Sequence, residues 1–376
     1  MASNFDFLDE LEKDITLKEK ICTKVEDINK LINAKENAVM YLNIRSINCN
    51  FNQLQILISR LEFKPFVIVC VETWHVEHAN FYQLPGYHMY YNEGDLNIAD
   101  RVIVYVLNEI GHETEIIEIG KLKAINVSIL MNNDRTFEIS SVYRSHEIPK
   151  AAFISALKKL IEIKKEIKNH FIVGDFNINL LEDDVFSQVL LETVTGGGYI
   201  PGFYQITRPS NKSKNKGSCI DNVFIKTESL ETRTFTLQNS LSDHYTLFFN
   251  IKKQLKISSV PDNSFLDYNK LKSAAMLTNW SEIENLSDVN LATDLFIEKI
   301  QNCIEQAKTK KKTRFKKRKA WISESIIKLC EIKDNLYKIW KDDLQNLEKK
   351  RNFTNFANKL KITIDQAKRN MKMTLF

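Results

Sequence analysis

Apolar residues gather along this chain in short runs that end on polar residues, with stretches of helical spacing between them. Runs rich in Val, Ile, Phe and Tyr predict strands over Val39–Ile44, Phe66–Val71, Val102–Leu107, Ala124–Met131, Phe137–Tyr143, Phe171–Gly174, Ile220–Ile225, Thr232–Leu237 and Tyr245–Ile251. Helical spacing fills Asn52–Leu61, Lys150–Lys168 and Asp184–Thr193. Residues 7–33 carry Phe7, Leu11, Ile15, Ile21, Val25, Ile28 and Ile32 at the spacing of one or two amphipathic helices. Asn132-Asn133-Asp134 lies between two strands and signals a hairpin. Strands joined partly by hairpins and partly by helices predict an α/β protein with mixed sheets. The pattern changes near Ser258-Ser259-Val260-Pro261, after which Leu266 to Phe376 reads as helix throughout and holds no proline. The expected organisation is a helical extension over 1–38, an α/β domain over 39–257 and an all-helical C-terminal module over 258–376.

Composition sharpens this only at a few points. With 376 residues, 43% of them hydrophobic and 27% charged, the chain can bury a sizeable core. Six scattered cysteines without a C-x-x-C pair argue against zinc and against disulfides, and fit a reducing compartment. The N-terminus has neither the basic region nor the apolar core of a signal peptide, and no run is long enough to span a bilayer. A soluble intracellular protein with no membrane partner is therefore expected. The formal charge of +5 is mild but unevenly spread, since Lys308 to Lys319 holds nine Lys or Arg in twelve residues. Such a run fits a solvated segment, a nuclear-import signal or a nucleic-acid contact. On the last reading Lys310, Lys311, Lys312, Arg314, Lys316, Lys317, Arg318 and Lys319 would meet DNA, or RNA. A smaller basic insert spans Asn211 to Gly217.

The candidate chemistry sits where strands end. His170-Phe171-Ile172-Val173 runs into Gly174-Asp175-Phe176-Asn177, and Ser242-Asp243-His244 precedes the apolar run Tyr245 to Phe249. Alternate residues of an extended segment point the same way, so Asp175 and Asn177 can share one site. Glu72 follows a buried strand, and Asn43 ends another. Taken singly, each fits an ordinary role: a charged strand terminus, a capping turn, a strand cap. Together they supply what phosphodiester hydrolysis needs, namely a carboxylate for Mg²⁺, a base for water and donors for developing charge. Asp221 lies in the apolar strand Cys219-Ile220-Asp221-Asn222-Val223, where an unpartnered carboxylate is costly. A neighbour such as His244 would answer that cost and fix the imidazole tautomer.

Leu42-Asn43-Ile44-Arg45-Ser46-Ile47, Glu72-Thr73-Trp74, Val142-Tyr143-Arg144-Ser145, Gly174-Asp175-Phe176-Asn177, Cys219-Ile220-Asp221-Asn222 and Ser242-Asp243-His244 resemble the successive motifs of the endonuclease/exonuclease/phosphatase superfamily. Within it the pattern is most similar to the apurinic-type endonuclease of non-LTR (LINE-like) retrotransposons, over about residues 39 to 251. Ala320-Trp321-Ile322-Ser323 and Lys333-Asp334-Asn335-Leu336-Tyr337-Lys338 resemble the helical segment that precedes the reverse transcriptase in such elements. The resemblance implies a four-layer sandwich of two mixed β-sheets flanked by helices. It also implies that Glu72 binds Mg²⁺ (Mn²⁺ as a substitute), with Asn43 beside it on metal or phosphate. Asp175 would position and deprotonate water, and Asn177 would orient it or hold a phosphate oxygen. Tyr143 would contact the phosphate or aid the leaving oxygen. His244, oriented by Asp221, would stabilise the transition state, and Asp243 would complete the site or a second metal position.

Arg45 departs from the acidic residue of cellular repair enzymes, Arg101 from an expected glycine, and His146 from the proline usual after Tyr-Arg-Ser. No Tyr/Phe-x-Asp-Asp motif follows, so the resemblance implies a truncated element product, a fragment or a derived gene. The expectation is a nuclear, Mg²⁺-dependent endonuclease that nicks DNA and leaves a 3′-hydroxyl. The alternatives are a nucleic-acid-binding remnant with decayed cleavage and a phosphoesterase for lipid headgroups or inositol phosphates. Leu266–Phe376 is expected to add salt-sensitive nucleic-acid affinity without chemistry, so that residues 1–257 would nick alone.

Overall fold

The computed structural model describes residues 19–33, 36–74, 79–92, 101–131, 134–212, 216–228, 230–252, 264–310 and 318–373. The apolar runs become strands of two mixed sheets. The first contains β1 (Lys20–Cys22), β2 (Asn37–Asn43), β3 (Val67–Val71), β4 (Tyr87–Tyr91), β5 (Val102–Leu107), β14 (Thr232–Leu237) and β15 (Thr246–Ile251) in the order β1-β14-β15-β2-β3-β5-β4. The second contains β6 (His112–Ile119), β7 (Leu122–Met131), β8 (Asp134–Tyr143), β9 (His170–Asp175), β10 (Ile200–Pro201) and β13 (Asp221–Lys226) in the order β10-β13-β9-β8-β7-β6. Only β1/β14, β2/β3 and β8/β9 pair in parallel among these neighbours. Met131 pairs with Asp134, so β7 and β8 meet in the hairpin that the sequence signals.

Burial on both faces explains why β2, β3 and β5 read as nearly unbroken hydrophobic runs. Between the sheets the rings of Phe66, Phe137, Phe171 and Phe249 follow one another at 5.7, 5.9 and 5.4 Å, crossing from one sheet to the other. Outside the first sheet, α1 (Val25–Leu31) and α2 (Ile47–Arg60) bury Val25, Ile28, Ile47, Phe51 and Leu54 in the same core. Outside the second, α3 (Lys150–Ile163) and α4 (Val185–Gly196) cover Ile172 and Phe224 with Phe153, Leu157 and Leu190. The result is helix, sheet, sheet, helix.

Three expectations change. Lys20–Cys22, read as helix, is a strand parallel to β14, because Cys22 has its buried side turned into the sheet. The part of 1–38 before residue 19 lies outside the described residues. The C-terminal segment is not helical throughout: β16 (Ser264–Leu266) pairs antiparallel with β17 (Lys308–Lys310). Compactness also divides the chain differently from a cut at 258. Residues 259–316 form one unit, with α5 (Tyr268–Leu277), α6 (Ser281–Glu284) and α7 (Val289–Ala307). Residues 317–376, carrying α8 (Glu324–Asp342) and α9 (Leu347–Met373), cluster with residues 1–258. The cause is apolar contact: Trp321, Ile322, Ile326, Ile327, Leu360 and Ile364 share a buried cluster with Ile56 of α2. No helix among the described residues is long and apolar enough to cross a membrane.

Candidate active site

Strand ends of both sheets meet at one place. β2 ends on Asn43 opposite Val71, and Glu72 follows Val71 directly. β9 ends on Asp175, flanked by Tyr143 of β8 and by Asp221 of β13. The glycine before Asp175 is there for space rather than for a bend. A Cβ on Gly174 would lie 2.0 Å from the Val142 carbonyl oxygen, so only glycine lets β8 and β9 approach this closely. Across the gap between sheets, the Tyr41 hydroxyl donates to Asp221 Oδ1 at 2.7 Å and Asn43 Nδ2 donates to Asp175 Oδ2 at 2.9 Å.

His244 is buried and its Nδ1 lies 2.8 Å from Asp221 Oδ2. Thr207 Oγ1 donates to the same oxygen at 2.8 Å. Asp221, the residue whose isolation in an apolar strand needed an answer, therefore has three partners. Glu72, Asp175 and His244 offer ligand atoms that all lie within 4.8 Å of one another. The Asn177 backbone N–H donates to Asp175 Oδ1 at 2.9 Å, while its Nδ2 donates to the Arg144 carbonyl oxygen at 2.7 Å. Asn43 Oδ1 accepts from the Arg45 N–H at 3.2 Å, so both ends of that buried amide are engaged within the protein.

Backbone strain concentrates here. The five non-glycine residues with positive φ among those described are Arg45 (43°), Ser46 (80°), Glu72 (50°), Trp74 (65°) and Asn177 (49°). All five follow the ends of β2, β3 or β9. Such conformations cost about 1–3 kcal/mol each and persist where surrounding contacts over-determine them, often at functional sites.

The electrostatics explain what the cluster suits. Burial pushes the Asp175 carboxyl up to about 8, reinforced by the charges of Asp221 and Glu72 and opposed by His244. Burial works against the charged His244 ring, yet Asp221, Asp175 and Asp243 hold its pKa up at about 9. With Glu72, Asp221 and Asp175 facing one imidazole, ionising Asp175 leaves excess negative charge in a mostly buried place. That excess, with the Glu72 and Asp175 carboxylates converging, fits a divalent cation. Glu72 and Asp175 supply the hard oxygens that Mg²⁺ prefers.

Asp243 stands differently from its expected place on a metal. Its Oδ2 accepts from Arg45 Nη1 at 2.5 Å and from Arg208 Nη2 at 3.0 Å. Burial alone would raise its pKa, but His244, Arg45 and Arg208 hold it below the ordinary carboxylate value. Two guanidiniums already neutralise this carboxylate, and it joins no group of three metal-ligating side chains among the described residues. Arg45 is thus an internal counter-ion. Sequence reading missed Tyr41, Thr207 and Arg208. Tyr41 had a signal, since it lies two residues before Asn43 on the same strand face. Thr207 and Arg208 lie at a short hairpin, β11 (Arg208–Pro209) with β12 (Gly217–Ser218), that carries no periodicity. Of the basic run, Lys311 to Lys317 lie outside the described residues, and of Lys310 only the backbone is described. Arg318 pairs with Glu324, and the Lys319 ammonium sits 6.0 Å from the Phe51 ring centre.

Residues 40–244 match the model of the Endonuclease/Exonuclease/phosphatase family. A search among curated proteins returns no match. Among solved structures, the chain is similar to the endonuclease domain of TRAS1, a telomere-specific non-LTR retrotransposon, at 15% identity and a TM-score of 0.41, covering 58% of this chain and 99% of that one. It is also similar to an endonuclease/exonuclease/phosphatase family protein from Leptotrichia buccalis, at 13% identity and a TM-score of 0.43, covering 58% and 100%. A beta toxin from Staphylococcus aureus matches at 13% identity and a TM-score of 0.43, covering 57% and 99%. With the family pattern spanning more than half of its residues and the strand-end cluster inside that span, the chain belongs to the endonuclease/exonuclease/phosphatase family.

Proposed function

We propose that this member of a phosphoesterase family is a divalent-metal-dependent DNA endonuclease that nicks its target and leaves a 3′-hydroxyl, as target-primed retrotransposition requires. The observation that carries the reading is the convergence of Glu72, Asp175 and His244 at the strand ends, with His244 bonded to Asp221. Glu72 and Asp175 would hold Mg²⁺, or Mn²⁺ in its place, and a cation there would neutralise charge on the phosphate. Burial favours the protonated Asp175 carboxyl in the metal-free site, and a cation beside it would favour the carboxylate that takes a proton from water. Its bond to the Asn177 N–H fixes the carboxylate direction while Asn177 orients the water or a phosphate oxygen.

His244, held at about 9 by its carboxylate neighbours, is an imidazolium at neutral pH. With Nδ1 engaged by Asp221, its other ring nitrogen donates to the negative charge that builds on phosphorus oxygens. The bond from water oxygen to phosphorus forms as the bond from phosphorus to O3′ breaks. The departing oxygen takes up a proton, aided by Tyr143, and becomes the 3′-hydroxyl. The Lys308–Lys319 run supplies non-specific contact with DNA or RNA on this reading, and the nucleus is where the substrate resides.

Product ends test the proposal. Supercoiled plasmid nicked by the full chain in Mg²⁺ should prime extension by a DNA polymerase without prior end repair. Blocked 3′ ends would contradict the stated bond cleavage. Hydrolysis of inositol phosphates with intact plasmid would favour the lipid-headgroup alternative.

A further inference from the structure

The loop that delivers His244 is held from outside the family's core. It joins β14 to β15, and part of its shape is its own: Asn239 Nδ2 donates to Thr246 Oγ1 at 2.8 Å, and Ser242 Oγ donates to the Asn43 carbonyl at 2.7 Å. Ser240, four residues before His244 and buried, turns all three of its polar groups to α8. Its backbone N–H and its hydroxyl donate to Asp334 Oδ1 at 3.2 and 2.5 Å, and its carbonyl accepts from Lys333 Nζ at 3.0 Å.

The same two residues reach α2, the helix that begins just past Asn43. Lys333 Nζ also donates to Gln53 Oε1, and Asp334 lies 3.8 Å from Arg60 Nη1. Lys333 is 3% exposed, so its ammonium is committed to these acceptors. Further along α8, Tyr337 and Trp340 pack with Tyr245, the residue after His244. Lys341 Nζ donates to Ser210 O and Asn211 Oδ1 in the hairpin that follows Arg208. One face of one helix thus touches the His244 loop on both sides of the histidine and the hairpin next to Asp243.

We propose that Lys333 and Asp334 are positioning residues for His244, so that the reaction depends on a helix outside the family's matched span. This rests on the nuclease reading of the site for its activity arm, but the geometric arm stands apart from it. The helix touches no reacting atom; it fixes where the imidazole sits. Misplacement of a reacting group by about 1 Å costs on the order of 10²-fold in rate, so a loosened loop lowers kcat while leaving DNA binding in place. Residues 1–257 alone, expected from sequence to nick, would lack this support.

The full chain carrying Asp334→Ala tests it against Asp334→Asn, which keeps the Oδ1 acceptor, with Ser240→Ala as a milder variant that removes only the hydroxyl donor. Nicking rate and the proton NMR signal of the His244 Nδ1–H are read together. Asp334→Ala should lower kcat about 10-fold or more with KM for DNA within about twofold, and should broaden or shift the His244 signal. Asp334→Asn should restore both, and Ser240→Ala should fall between. If Asp334→Ala does not fold, the graded change in Ser240→Ala alone carries the test. Wild-type rate and an unmoved His244 signal in both Asp334→Ala and Ser240→Ala, or in Ser240→Ala when it alone folds, would overturn the proposal. A wild-type chain that fails to nick while its His244 signal still responds to these variants would sink the nuclease reading and leave the positioning role standing.

Discussion

Asp175 is where the site holds its largest electrostatic conflict. Its carboxyl rises from an ordinary 3.8 to about 8 because burial and neighbouring carboxylates penalise the ionised form. The folded chain therefore keeps a proton that the unfolded chain releases, and folding weakens as pH rises from about 4 to about 8. Replacing the acid with the uncharged Asp175→Asn should raise stability of the metal-free protein by about 1–2 kcal/mol at pH 8 while removing activity. Denaturant midpoints at pH 5 and pH 8 check this, since the gain should be larger at the higher value. A variant less stable than wild type at both would contradict the account of the conflict. These residues were legible in the sequence because each interrupts an apolar run at its end, as Asn43, Glu72 and Asp175 do. Thr207 was not, because a threonine in a loop looks like an ordinary turn, and Tyr41 was legible only in its place on the Asn43 face, not in its bond to Asp221. Asp243 was legible as polar but not in its partner, since Arg208 meets it only through tertiary contact.

Among the elements, central strands declared themselves and edge strands did not. β3 is buried at every position, whereas β6 exposes most of its length and carries three glutamates, so its run reads as surface. β10, β11 and β12 are two residues long, too short for any period. The second sheet also hides a polar seam beneath α3. His170 bonds Ser140 Oγ at 2.8 Å and Tyr199 OH at 2.6 Å, and Ser140 continues to Asn126 and Glu138, which Lys164 neutralises at 2.7 Å. Burial lowers the His170 pKa from 6.5 to about 3. Between those values the unfolded chain binds a proton that the folded chain refuses, so stability is whole above about 6.5 and falls as pH drops toward 3. The loss should approach about 1.4 kcal/mol per pH unit from this residue alone. His170→Gln should flatten that acid limb in urea unfolding measured from pH 7 to pH 4; an unchanged slope would assign the acid sensitivity elsewhere.

At the scale of the whole molecule, the helical segment after the basic run is part of the core unit rather than an appendage. Sequence could not show this, because a Lys-Asp pair within a helix looks like surface, and only tertiary contacts with Ser240, Gln53 and Arg60 bury Lys333 and engage Asp334. Removing residues 258–376 would expose Ile56, which is 2% exposed, and Tyr245, which is 9% exposed. At about 1.5–3 kcal/mol for each large apolar side chain, the 1–257 fragment should melt roughly 10 °C below the full chain. Calorimetry of the two checks it, and equal melting temperatures would show that the helices contribute no stability.

The central claim is that Glu72, Asp175 and His244 act as one metal-dependent hydrolytic site. Its most direct measurement is the rate of plasmid nicking by the full chain in Mg²⁺, beside folded Asp175→Asn and His244→Ala. Wild type should convert supercoiled to open-circular DNA, EDTA should stop it, and each variant should be slower by about 10²- to 10⁴-fold. Nicking that persists in EDTA, or variants that nick at the wild-type rate, would contradict the account.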